Sequence, residues 1–184
     1  MQPSRSGTRV TEPEADRSPA PVAVQLDRFE VFYAAEFGRC TALAYTLCGN
    51  RSLAEELAQD AMTAAYRDWS RVQQMESPVG WVRRTTANLA SSATRRRIAE
   101  ARAVLRLSSR RQPQAVLPES DEDFWAAVRA LPKRQAQATA LRYGLGCTVP
   151  EVAQILGCAE GTAKAHLHAA RAAVSRRLGL EAGA

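Results

Sequence analysis

Lysine is nearly missing from this basic chain: Lys133 and Lys164 are the only two among 25 basic residues, in a sequence of 184 residues with net charge +6. A pI near 9.6 favours a polyanionic partner, either nucleic acid or an acidic protein surface. The arginine preference means little alone; the arginine positions carry the information. Long apolar runs are missing too. Nothing approaches the roughly 20 residues that span a bilayer, and the N-terminus has no signal-type apolar stretch, so the expectation is a soluble cytoplasmic protein without a membrane partner. Cysteine is sparse: Cys40, Cys48, Cys147 and Cys158, with no CxxC spacing. Cys158 with His166 and His168 matches no zinc pattern, so the cysteines read as small buried hydrophobes, with no metal site and no cofactor. A Gly-rich phosphate loop and a nucleophile–base constellation are also lacking. The chain therefore reads as no enzyme, with no catalytic residues and no small-molecule substrate. Strand-like alternation is too short to build a sheet, which leaves an all-α fold.

Two small helical domains joined by a flexible linker are expected. Residues 1–25 mix Pro, Ser, Gly and charges of both signs without a period, as a disordered tail does. The first domain takes 26–103. Phe29, Phe32, Tyr33, Phe37, Cys40, Leu43, Ala44 and Leu47 recur at helical spacing from near Arg28. Gly49-Asn50 ends that helix, and Asn50 or Ser52 caps a second one running from about Leu53 to Trp69. Ser77-Pro78 starts a third, reaching about Ala103. Weak periodicity and two prolines mark 104–120 as the linker. The second domain, 121–180, opens with acids suited to a helix N-terminus, breaks at Leu131-Pro132, and continues as a helix from Lys133 to Tyr143. Domains this small have thin cores, so partner contacts matter to their stability.

Thr148 to Arg177 reads as a helix-turn-helix. Thr148 and Glu151 have capping-box spacing, Pro150 suits the first turn, and Gly157 supplies the permissive turn residue. The second helix runs from Glu160 to about Leu178 and leaves Thr162, Lys164, Ala165, His166, His168 and Arg171 for its outer face. In this geometry such a helix enters the major groove of DNA. His166 and His168 could contact a base or a phosphate, or stay solvated.

Upstream, Glu55, Glu56, Gln59 and Asp60 share one face of the second helix, opposite Leu53, Leu57 and Ala61. An acidic face disfavours DNA, so within a basic protein it suggests a protein partner with a basic surface. The third helix carries Trp81, Arg83, Arg84, Asn88 and the run Arg95, Arg96 and Arg97. Arginines fix phosphates, asparagine reads a base edge or a backbone oxygen, and an aromatic side chain can stack on an unpaired base. Trp81 equally suits the core of a small bundle.

The blocks AEELAQDAMTAAYRDW, WVRRTTANLASSATRRR, LPKRQAQATALRY and TVPEVAQILGCAEGTAKAHLHAAR, in that order over about residues 28 to 178, resemble bacterial sigma factors of the extracytoplasmic-function group of the sigma-70 family. The resemblance implies a region 2 bundle and a region 4 helix-turn-helix that bind core RNA polymerase and promoter DNA and direct transcription initiation. It implies that Glu55, Glu56, Gln59 and Asp60 dock on the polymerase clamp. The helix bearing Trp81, Arg83, Arg84, Asn88 and Arg95 to Arg97 would melt and hold the −10 element, and the second helix of the helix-turn-helix would read the −35 element. The linker would thread toward the active-site and RNA-exit channels. Control would fall to an anti-sigma factor or to expression level. Four positions depart from the family pattern. His166 and Ala169 stand at two commonly basic positions, Ala136 replaces an arginine, and Glu56 stands for the usual Asp. Each lost phosphate contact flattens the log–log salt dependence by about one unit. The alternative is a stand-alone helix-turn-helix regulator, which would have no use for an acidic clamp face.

Overall fold

The computed structural model describes residues 22–107 and 121–180, and every regular element among them is helical. Helix α1 spans Val22–Cys48, α2 Arg51–Arg67, α3 Trp69–Val72 and α4 Pro78–Leu107. Beyond residues 108–120, α5 spans Asp121–Arg129 and α6 Lys133–Thr139. A π-helical segment, Ala140–Gly144, precedes α7 (Val149–Leu156) and α8 (Glu160–Arg177).

Several boundaries differ from the sequence reading. The backbone of α1 is already helical at Val22, inside the span assigned to a disordered tail; residues 1–21 lie outside the described residues. Helix α4 runs on to Leu107, so 104–107 extend a helix, and the remaining linker residues 108–120 lie outside the described ones. Asn50, and not Ser52, caps α2: its Oδ1 accepts from the Leu53 amide at 2.8 Å, which puts Ser52 within the first turn. The preceding Gly49, at φ +66°, gives the chain its left-handed exit from α1. The turn at Asp68 separates Trp69 from α2 and starts the short α3. Ser77 accepts from the Gly80 amide at 3.0 Å and launches α4, with Pro78 in the first turn. The expected Lys133–Tyr143 helix is in two pieces. Its second half widens to π geometry, and Tyr143 is left exposed.

Two apolar clusters hold the helices. One lies within the N-terminal half, where Cys40, Ala58, Ala61, Met62, Ala65 and Val82 pack with Phe29, Phe32, Tyr33, Phe37 and Trp81. The aromatic rings continue to the α3 side, with Phe29 edge-on to Trp69 at 5.3 Å and Tyr33 stacked on Phe37 at 4.9 Å. The larger cluster draws on both halves. Leu43 and Leu47 of α1 and Ala87 and Ala90 of α4 join Val128, Leu141, Val152, Ile155 and Leu156. The two expected domains therefore share a core along a seam, with α1 against α5 and the π segment, and α4 against α6 and α7.

Candidate polymerase and nucleic-acid surfaces

Helix α2 presents its polar side as the acid-rich quartet. Glu55, Glu56, Gln59 and Asp60 are all exposed, while Ala54, Leu57, Ala58 and Ala61 are buried beneath them. Arg51 pairs with Glu55 at 3.3 Å, and the Tyr33 hydroxyl donates to Gln59 at 2.9 Å. Both contacts are at the exposed surface, where an ion pair contributes about 0.3–0.5 kcal/mol at i,i+4.

The residues singled out on α4 divide by burial. Arg95, Arg96 and Arg97 are exposed. Arg84 is exposed as a residue but lies against the helix-turn-helix: a β-carbon added to Gly157 would come within 2.6 Å of its Nη1. Trp81 is half-buried on the N-terminal cluster. Asn88 is half-buried, and its Oδ1 accepts from Gln137 Nε2 at 3.1 Å. Arg83 faces inward. Its Nε and Nη2 donate to the two carboxylate oxygens of Glu36 at 2.8 and 2.9 Å, and both side chains are about nine-tenths buried. Burial opposes the Arg83 charge, yet the hydrogen bonds and attraction of Glu36 outweigh it and raise the pKa above the usual arginine range.

The helix-turn-helix forms as its sequence signals require. Glu151 accepts from the Thr148 amide at 2.6 Å, and Thr148 Oγ1 accepts from the Glu151 amide at 3.4 Å, completing a capping box. The Thr148 amide and, at 2.8 Å, the Thr148 hydroxyl both donate to the Glu151 carboxylate and hold it below its ordinary range. Gly157 takes φ +65° in the turn. Arg134 Nη1 donates to the Leu156 carbonyl at 3.3 Å, at the end of α7. Ala163, Ala170 and Val174 bury the inner side of α8. Thr162, Lys164, Ala165, His168 and Arg171 are exposed, and His166 is half-buried.

Three cysteines are buried, Cys40, Cys48 and Cys147; Cys158, also expected in the core, is only half-buried. Burial raises the thiol pKa of all three buried cysteines, that of Cys40 to about 11.

Sequence reasoning overlooked two side chains on these surfaces. Glu36 falls one helical turn from Phe32 and from Cys40, so a lone acid on an apolar stripe was the available signal. Gln137 is fully buried among Ala136, Ala138 and Ala140, and a polar side chain inside an alanine run was its signal.

The Sigma-70 region 2 family matches residues 32–99, and the Sigma-70, region 4 family matches residues 121–174. The ECF RNA polymerase sigma factor EcfG of Rhodopseudomonas palustris (strain TIE-1) is 29% identical over 140 residues, which cover 74% of this chain and 77% of that protein. The probable RNA polymerase sigma factor RfaY of Xanthomonas campestris pv. campestris is 27% identical over 148 residues, 75% of this chain but 37% of that longer protein. Among solved structures, the sigma factor RpoE of Bartonella quintana, crystallised with the anti-sigma factor NepR, superposes with a TM-score of 0.62 at 22% identity, covering 84% of this chain and 99% of that one.

A helical body with one acid-rich face and a helix-turn-helix is thus the frame of a transcription initiation factor. The chain belongs to the sigma-70 family, among the sigma factors of extracytoplasmic-function type, which direct promoter-specific transcription.

Proposed function

We propose that this chain docks on core RNA polymerase through Glu55, Glu56, Gln59 and Asp60 and delivers it to promoters by two nucleic-acid surfaces. Arg84, Asn88 and Arg95 to Arg97, with Trp81 beside them, act at the −10 element. Thr162, Lys164, Ala165, His166, His168 and Arg171 act at the −35 element. Arg83 serves by holding α4 against α1. The chain performs no chemistry of its own and works in the cytoplasm, where polymerase and promoter are.

The observation that carries this reading is the exposure of the acidic quartet in a chain with net charge +6. Four polar groups, three of them acids, on an otherwise well-packed helix would repel DNA, and their apolar opposite side is already used by the core. A cationic protein surface is the partner that fits them. Control by an anti-sigma factor belongs to the same reading, supported by the Bartonella relative, whose structure holds one.

The test is transcription in vitro with purified core polymerase on sheared genomic DNA, followed by sequencing of the transcript ends. Initiation at a discrete set of sites sharing upstream sequences is expected. Tight duplex binding without polymerase, and no initiation with it, would establish a stand-alone regulator instead.

A further inference from the structure

Near the C-terminal end of α1, side chains from α4, α5 and α6 meet around one small cleft. Arg95, Arg129 and Lys133 line it together with Leu47, Ser91 and Ala136. We infer that this cleft binds a phosphate dianion, either inorganic phosphate or the terminal phosphate of a small phosphomonoester such as a nucleotide. The site shares only Arg95 with the surfaces assigned above, and it needs neither polymerase nor promoter.

Charge selects the ligand class. Among the described residues Arg95 and Lys133 have no ion-pair partner, while Arg129 has one, Glu122. Three positive charges against one negative leave an excess of two, and no acid lines the cleft. A phosphomonoester carries about −1.5 to −2 at neutral pH, whereas a backbone phosphodiester carries a single charge. The monoester or the free ion is therefore the better match. Burial lowers the Lys133 pKa, and Arg95 and Arg134 lower it further. Its ammonium sits among like charges that a bound anion would offset.

Geometry supplies the donors. Ser91 Oγ and Arg129 Nη1 are both buried with no hydrogen-bond partner among the described residues. Two other buried side-chain polar atoms share that condition, Trp69 Nε1 and Gln137 Oε1, so half of the four belong to residues of this one cleft. Native chains seldom leave a guanidinium nitrogen buried without an acceptor. Arg129 is also held in place. Its Nη2 is tied to Glu122, and its guanidinium lies over Gly49, where an added β-carbon would come within 2.9 Å of Cζ. The bare glycine permits that close approach. Size then dictates how the ligand sits. The cavity volume is about 10 Å³, room for one water-sized group. One phosphate oxygen enters to accept from Ser91 and Arg129. The other oxygens stay at the mouth, where Arg95 is exposed and Lys133 half-buried.

The test uses the full chain, phosphorus NMR of inorganic phosphate, and thermal unfolding, with sodium chloride at matched ionic strength as the control. The chain should broaden the phosphate resonance saturably, and phosphate should raise the unfolding midpoint where chloride does not. Equal effects of the two salts overturn the inference, because a diffuse positive field does not distinguish them. Adenosine monophosphate separates the two sources: tighter binding than phosphate assigns the site to a nucleotide, and equal or weaker binding assigns it to the free ion. Lys133→Gln should weaken phosphate binding about tenfold, the loss of one charge-assisted contact, and leave helical circular dichroism unchanged. Ser91→Ala removes a buried hydroxyl that has no partner to lose, so it should keep the unfolding midpoint in chloride while weakening phosphate binding severalfold. Phosphate binding unchanged in both variants overturns the inference. So does an oligonucleotide without a terminal phosphate that protects the cleft where phosphate fails, which would return these residues to the nucleic-acid surface. Failure of the chain to initiate transcription would count against the proposed function and leave the phosphate site standing.

Discussion

Glu36 and Arg83 meet between α1 and α4 with nearly all of their surface removed from water. A buried pair like this contributes little net stability beside a well-packed apolar pair, but losing one partner leaves a charge without compensation. Glu36→Gln should therefore destabilise the chain by about 3–5 kcal/mol in urea unfolding. Glu36→Leu combined with Arg83→Met should recover most of that loss, as an apolar replacement does. If Glu36→Gln leaves the unfolding midpoint in place, Arg83 is free to serve nucleic acid and its inward role is wrong. The sequence could not make this distinction. Arg83, Arg84 and Arg95 to Arg97 share one chemistry, and only the arrival of Glu36 from 47 residues away separates a structural arginine from exposed ones.

At the scale of the element, capping was legible and helix interiors less so. Asn50, Ser77 and Thr148 act on amides within three residues, so local spacing is enough to identify them. The π segment at Ala140–Gly144 and the break at Asp68 answer to tertiary packing, and no local residue pattern announces them. The capping box of α7 gives a prediction with a sign. Glu151 has its pKa lowered in the folded chain, first by the Thr148 amide and then by the Thr148 hydroxyl. Its contribution is thus fully present above the ordinary carboxylate value of 4.5 and is lost as pH falls through the lowered folded value. Thermal unfolding of the parent and of Glu151→Gln should differ at neutral pH and converge in acid. A gap that persists unchanged to low pH would show that the carboxylate charge plays no part in the cap.

For the whole molecule, the acidic face was legible because Glu55, Glu56, Gln59 and Asp60 lie on one element at helical spacing, and the basic run Arg95 to Arg97 because its charges are consecutive. The seam was not. On α4 and α6 its surfaces are largely alanine, serine, threonine and one glutamine, residues that on a single helix look the same whether they face water or a neighbour. Charge reversal tests the largest assignment at this scale. Glu56→Arg with Asp60→Arg should abolish co-purification with core polymerase while circular dichroism stays unchanged, since both side chains are exposed. Undiminished co-purification would remove the docking role from α2.

Helices α2 and α4 both pack on α1, through the aromatic cluster on one side and the Glu36–Arg83 clasp on the other. That makes the N-terminal half a ruler. If α2 grips the enzyme and α4 grips the unwound strand, the spacing between them is set by protein packing and not by the elasticity of DNA. The first template base presented for copying would then be chosen by the rigidity of α1, and substitutions that loosen that helix should blur the transcription start point before they weaken promoter output.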